Sequence, residues 1–277
     1  MSAAQEGPEE GRPLPRRGMY VLPSLFTCGN VAAGYYAIIE SIRATPANYA
    51  PFDHAALAIM LAVLFDGLDG RIARMTNTSS AFGRELDSLA DVITFGVAPS
   101  ILAYLWGVRL VLQTNYPIIE NRLHHFGIVI CFLFLICGAC RLARFNISIN
   151  PQPRNPGRPG RKYFVGMPIP AGAGVIAAVV HFEGGSPVSD LWLSIVWLAL
   201  IAGTGYLMVS SWRFWSGKEI DFGQRKPGRL LVLIVVVLGV VIEWHRIAFL
   251  AMAMIYLVSG VMARLAYSWS RAMEKRA

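Results

Sequence analysis

Residues 230–242 (LLVLIVVVLGVVI) and 247–263 (IAFLAMAMIYLVSGVMA) carry no charged side chain, and only the short turn Glu243–Arg246 parts them. Segments that are apolar all round are buried on every side, either in a large protein core or in lipid. Composition decides between the two. Hydrophobic residues make up 55% of the chain and charged ones only 15%, whereas about 25% is usual for a soluble domain. Six further apolar stretches, at roughly 21–41, 54–76, 84–106, 124–145, 165–182 and 190–210, approach the ~20 residues a helix needs to cross a bilayer. The expected fold is therefore an all-α membrane protein of about eight transmembrane helices.

Lys and Arg placement orients it, because cytoplasmic loops collect basic residues. Placing both termini in the cytoplasm leaves only Arg43, Arg109, Arg122 and Arg246 on the opposite side, with Arg141 inside a span. The expected location is the cytoplasmic (inner) membrane. The net charge of +8 then follows from the positive-inside bias and from attraction to anionic lipid headgroups, and calls for no nucleic acid. Residues 1–18 read as a disordered cytoplasmic tail rich in Pro, Gly and Glu, 19–270 as one polytopic domain and 271–277 as a second cytoplasmic tail. Cys28, Cys131, Cys137 and Cys140 all fall in apolar spans, where helix-packing thiols are a simpler reading of the lone CxxC than metal or redox chemistry.

Against this background, Asp66, Asp69, Asp87 and Asp91 stand out in DGLDGRIARMTNTSSAFGRELDSLAD, residues 66–91. Ionisable groups at membrane depth are costly and mark functional sites. At ~100° per residue, positions 66, 69, 70, 73 and 74 share one helix face, and Gly83, Asp87 and Asp91 share a face of the next. Two facing helices would thus present two carboxylates each. Four approaching carboxylates repel unless a cation sits among them. Their hard oxygens favour Mg²⁺ or Mn²⁺ over zinc, and four make two ions plausible, with one carboxylate left to move a proton. Small Gly70 and Ala73 let a ligand approach the backbone, and Arg74 offers a bidentate donor to phosphate. The polar Thr76–Ser80 stretch is suited to capping the second helix.

The spacing D-x2-D-G-x2-A-R-x8-G-x3-D-x3-D, carried here by Asp66, Asp69, Gly70, Ala73, Arg74, Gly83, Asp87 and Asp91, resembles the signature of the CDP-alcohol phosphatidyltransferase family. The resemblance implies that the first six helices form that family's core, with two further helices at about 229–270. It implies that Asp66, Asp69 and Asp87 are metal ligands, and that Asp91 is both a ligand to a second metal and the general base. Asp69, Gly70, Ala73, Arg74, Ser80 and Gly83 match positions that hold the CDP moiety, joined by Thr27, Gly29 and Asn30 on the first span. The implied partners are CDP-diacylglycerol, a small alcohol and membrane lipid.

The segments LPSLFTCGN (22–30), DSLADVITFGVAPS (87–100), RLARFN (141–146) and YFVGMPIPAGAG (163–174) resemble the branch of the family whose alcohol is L-serine. A cation is then needed for the serine carboxylate, and Arg141 or Arg144 is expected to supply it, with Asn146 nearby. The same cations would suit glycerol 3-phosphate or inositol phosphate. An intramembrane prenyltransferase usually splits its aspartates between two separate motifs, and a divalent-cation transporter has no use for Arg74. His124, His125, His181 and His245 sit at span ends and read as interfacial; Trp192, Trp197, Trp212 and Trp215 read as an aromatic belt. Small-residue helix faces permit a homodimer without requiring one.

Overall fold

The computed structural model describes residues 21–76, 81–110, 117–148, 163–216 and 243–274, together with Gly239. Helices α1 (Val21–Arg43) and α2 (Ala50–Thr76) form an antiparallel pair. A third helix runs without a break as α3 (Ala81–Asp91), a π-helical stretch (Val92–Val97), α4 (Ala98–Tyr104) and a second π-helical stretch (Leu105–Arg109). Then come α5 (Pro117–Ile147), α6 (Ile169–Phe182), α7 (Leu191–Val209) and α8 (His245–Glu274). The fold is that of an all-α membrane protein. Among the described residues, Ala50–Leu68, Phe82–Arg109, Ile119–Ile147, Leu191–Val209 and His245–Met273 are long and apolar enough to cross a bilayer. The apolar α6 is shorter, with 14 residues. The expected span at 230–242 lies outside the described residues, Gly239 apart, so the count of eight is not reproduced. α8 continues through Arg271–Glu274, where a tail is expected from sequence.

In lipid the apolar faces of these helices cannot be sorted by polarity, and they are sorted by size instead. α2 buries Ala55, Ala56, Ala58, Ile59 and Ala62 against its neighbours and turns Leu57, Leu61, Leu64 and Leu68 outward. Small residues at i, i+3 and i+7, here Ala55, Ala58 and Ala62, let helix backbones approach, which is how helices associate where no hydrophobic drive exists between them. Phe95, Phe134, Ile169, Ile176, Ile201 and Met208 fill the shared centre. Outward Phe126, Val129, Phe132 and Leu133 on α5 and Ile255, Met262 and Leu265 on α8 are the lipid-facing counterpart.

Local chemistry sets the turns. The Asn48 side chain accepts the Ala50 N–H at 3.3 Å, capping α2 just ahead of Pro51. α6 ends at Gly184 and Gly185, both at positive φ (61° and 78°), and the Gly185 N–H returns to the Val180 carbonyl at 2.9 Å. A Cβ on Gly185 would fall 2.8 Å from the Asp53 nitrogen and the Tyr49 carbonyl oxygen, so glycine is what lets the end of α6 reach the start of α2.

That junction corrects two sequence expectations. His181 is not interfacial: it is 1% exposed, with Nδ1 2.6 Å from Asp53 Oδ1 and Nε2 2.7 Å from His245 Nδ1. The chain Asp53–His181–His245 joins α2, α6 and α8 at the end of the bundle away from Asp66. Trp197 is likewise no belt residue. It is buried, packs edge-on to Trp106 at 4.9 Å and donates its Nε1–H to the Ala103 carbonyl at 3.0 Å. Trp192, 71% exposed, does suit a belt. Cys131 packs in the core and Cys137 is half-buried, whereas Cys28 and Cys140 face outward; all four are free thiols.

The unforeseen element is a two-stranded antiparallel ribbon, β1 (Tyr163–Val165) with β2 (Arg213–Trp215), which pairs Phe164 with Phe214. It lies between the end of α5 and α8.

Candidate active site

α2 ends and α3 begins on the same side of the bundle, so their carboxylates converge. One carboxylate oxygen each of Asp66, Asp87 and Asp91 lies within 4.8 Å of the others. Asp91 is buried and the other two are half-buried. Asp87 Oδ1 is buried without a hydrogen-bond partner among the described residues. Two unit charges at this separation repel by about 3.5 kcal/mol at an effective dielectric of ~20, a cost that a bound cation or the uptake of a proton relieves. Hard oxygen donors with an unpartnered, buried oxygen among them fit a divalent metal ion.

Asp69, Gly70, Ala73 and Arg74 lie on the described backbone of α2, but their side chains are outside the description, and Ser80 lies outside the described residues. The fourth expected carboxylate is therefore not placed. Gly83 sits two turns before Asp91 on α3, as the i, i+4, i+8 spacing predicts.

The first span meets this site through Asn30. Its side chain is wholly buried, and neither Oδ1 nor Nδ2 finds a partner among the described residues. An amide left in this way in a packed interior costs about 1–3 kcal/mol, unless a ligand supplies the missing bonds. Thr27 is buried one turn earlier, and Gly29 presents no side chain. What holds Asn30 in place is a residue that sequence reasoning missed. Thr94 donates its hydroxyl to the Asn30 carbonyl at 3.1 Å. Thr94 lies in the π-helical stretch directly after Asp91, a local widening of the kind that recurs at functional sites. A Cβ on Gly34 would come within 2.8 Å of the Thr94 Cα, so this close crossing needs glycine.

The two candidate acceptor arginines have different surroundings. Arg144 donates to the carbonyls of Val209 (3.0 Å) and Ser210 (3.2 Å), with Met208 at 3.5 Å. It therefore caps the C-terminal end of α7, which accounts for its charge structurally. Asn146 donates to Ser88 Oγ at 2.8 Å and ties the end of α5 to α3 beside Asp87. Arg141 is 6% exposed and its Nε is unpartnered. Its guanidinium carbon sits 5.2 Å from the Phe145 ring centroid and 5.8 Å from that of Phe164, within electrostatic range of the Tyr256 hydroxyl, Asp91, Arg144 and Asp66. The i, i+4 step from Arg141 to Phe145 is visible in sequence; the contribution of Phe164 is not.

These features define a class: an integral membrane protein with a carboxylate cluster that fits a divalent cation where two of its helices meet, and with buried polar groups on the same side of the bundle. The comparisons make the assignment specific. The family model described as CDP-alcohol phosphatidyltransferase matches residues 20–204, and the chain belongs to that family. It is 34% identical over 254 residues to the CDP-diacylglycerol–serine O-phosphatidyltransferase of Helicobacter pylori (strain ATCC 700392 / 26695), spanning 90% of this chain and 92% of that protein. The enzyme of the same name from Bacillus subtilis (strain 168) is 35% identical over 196 residues, covering 71% of this chain and 90% of its own length. That of Saccharomyces cerevisiae is 36% identical over 153 residues, covering 55% and 50% respectively.

Proposed function

We propose that this chain transfers the phosphatidyl group of CDP-diacylglycerol to L-serine, giving phosphatidylserine and CMP. The observation that carries the proposal is the convergence of Asp66, Asp87 and Asp91 in a chain similar to serine-using enzymes over 90% of its length. Asp66, Asp69, Asp87 and Asp91 hold two Mg²⁺ or Mn²⁺ ions, which when bound offset charge on the pyrophosphate and on the departing CMP. Thr27, Gly29 and Asn30 on α1, with Gly70, Ala73, Arg74, Ser80 and Gly83, seat the CDP moiety, and the unpartnered Asn30 amide takes its missing hydrogen bonds there.

Arg141 pairs with the serine carboxylate. Asp91 accepts the proton of the serine hydroxyl as its oxygen attacks the phosphorus bearing diacylglycerol, and the bond to the CMP oxygen breaks. Arg144 and Asn146 serve this site indirectly, by fixing the end of α5. The acyl chains remain in the bilayer while the nucleotide occupies the polar end of the bundle. By the positive-inside rule that end and both termini are cytoplasmic.

The test is purified protein with CDP-diacylglycerol, Mg²⁺ or Mn²⁺, and L-serine, glycerol 3-phosphate or inositol phosphate offered separately, with CMP and lipid product followed by mass spectrometry. Serine-dependent CMP release with phosphatidylserine is expected. Release with a phosphorylated alcohol instead would overturn the acceptor. No release with any of them, from folded and metal-loaded protein, would overturn the transferase reading.

A further inference from the structure

We infer that α8, which lies beyond the 20–204 family region, governs selection of the acceptor by pressing the β1–β2 ribbon onto Arg141 through Phe214 and Tyr256. The inference rests on the reading of Arg141 as the group that binds the serine carboxylate.

The chain of contacts is continuous. Phe214, 1% exposed, is wedged against α8: its ring centroid is 5.7 Å from that of Tyr256, and its edge lies over Gly260. Tyr256 also donates its hydroxyl to the Trp215 carbonyl at 3.3 Å, so α8 holds β2 by a ring contact and a hydrogen bond. β2 pairs with β1 and sets Phe164 opposite Phe214. The Phe164 ring in turn faces the Arg141 guanidinium, with Phe145 flanking it.

A guanidinium between aromatic faces keeps its attraction to the rings while its N–H edge stays free for a planar anion. Its orientation then depends on where those rings stand, and one of the two stands where α8 puts it. Arg144, one turn on from Arg141, clamps the same end of α5 to α7, the Gly166 and Met167 N–H groups tie the ribbon's end to the Trp212 and Leu207 carbonyls, and α8 completes the hold on the ribbon through Phe214 and Tyr256. Tyr256 and Phe214 are positioning residues, since neither is required to touch substrate.

Gly260 allows the idea to be tested away from the site. A Cβ there would fall 2.3 Å from Phe214 Cε1 and Cζ, so Gly260→Ala forces the ring, and with it the ribbon, to shift. The expected result is a rise of about fivefold in the KM for serine, with kcat and the KM for CDP-diacylglycerol within about twofold of the parent; this split marks loss of acceptor binding and not general damage. Phe214→Leu lacks the two ring atoms concerned, so the double variant should recover most of the serine KM. Tyr256→Phe, which conserves the ring and removes a hydroxyl that both holds β2 and lies within electrostatic range of Arg141, should raise the same KM about twofold. An unchanged serine KM in folded Gly260→Ala and Tyr256→Phe proteins would overturn the inference, as would a fall in kcat with both KM values constant. Arg141→Ala, measured alongside, separates the layers. If it raises the serine KM and the α8 variants do not, only the role of α8 fails. If it leaves the serine KM unchanged, the reading of Arg141 fails.

Discussion

Replacing Asp87 with Asn removes one of three converging charges while conserving shape, and its effect on the metal-free protein follows from the geometry. Asp87 takes part in two of the three carboxylate pairs, each within 4.8 Å. One such pair is worth about 1 kcal/mol of repulsion in fully water-like surroundings and about 3.5 kcal/mol at an effective dielectric of ~20. Asp66 and Asp87 are only half-buried, and Arg141 offsets part of the field, so the lower figure is the safer one. Losing two pairs should then stabilise the metal-free protein by about 2 kcal/mol, which is about 4–8 °C in Tm for a chain of this size. The assay is thermal unfolding of the detergent-solubilised protein with EDTA and again with saturating Mg²⁺ or Mn²⁺. Metal should raise the Tm of the parent markedly and that of Asp87→Asn little, so the two melting curves change order when the ion is added. A variant that melts at or below the parent in EDTA, and still responds fully to metal, would refute the idea that these carboxylates are held together against their repulsion in order to bind a cation.

Asp91→Asn should lower kcat by about 100-fold or more, as expected when a positioned proton acceptor is lost, with folding unchanged by size-exclusion chromatography and circular dichroism. Arg144→Ala should cost about 1–3 kcal/mol of stability by leaving the α7 carbonyls without their donor, seen as a lower Tm with a smaller rise in the serine KM than Arg141→Ala gives. His181→Leu removes the partner of half-buried Asp53 and of exposed His245 and should destabilise by about 1–3 kcal/mol. Because that junction is remote from Asp66, the KM for CDP-diacylglycerol measured below the new Tm should be unaffected.

What the sequence discloses and what it hides follow from the range of the interactions. The spans are legible because an apolar run long enough to cross a bilayer is a purely local property, and the facing carboxylates because Asp87 and Asp91 lie one helical turn apart on a short, amphipathic α3. Burial of His181 is decided by Asp53, 128 positions away, so sequence sees only a polar residue at the end of a span. The ribbon is hidden for a similar reason. Two three-residue strands separated by two helices show no period, and Pro/Gly-rich surroundings suggest a loop. Arg141 and Arg144 are indistinguishable in RLARFN. Their roles divide only when the end of α7 arrives beside one and the Phe164 ring beside the other.

The polar groups of this bundle are partitioned between its two ends, and the partition bears on function. At the end away from Asp66, Glu40 accepts from Arg43 at 2.7 Å and approaches His54 at 3.5 Å, while Asp53, His181 and His245 satisfy one another in sequence. Those side chains find charged or polar partners within the protein. At the other end both polar atoms of Asn30, Asp87 Oδ1 and Arg141 Nε are buried and unpartnered among the described residues. Trp106 Nε1, also without a partner among the described residues, belongs to an apolar stack with Trp197 and carries no charge. Unmet buried polar groups cost about 1–3 kcal/mol each, so their concentration around the carboxylates is a standing destabilisation confined to one place. A chain with small residues to spare could have placed apolar side chains at those positions, as it does throughout α2. That it does not fits the proposed site, whose polar groups would take their partners from a metal ion and bound substrates, while the opposite end pairs its polar groups across the helices.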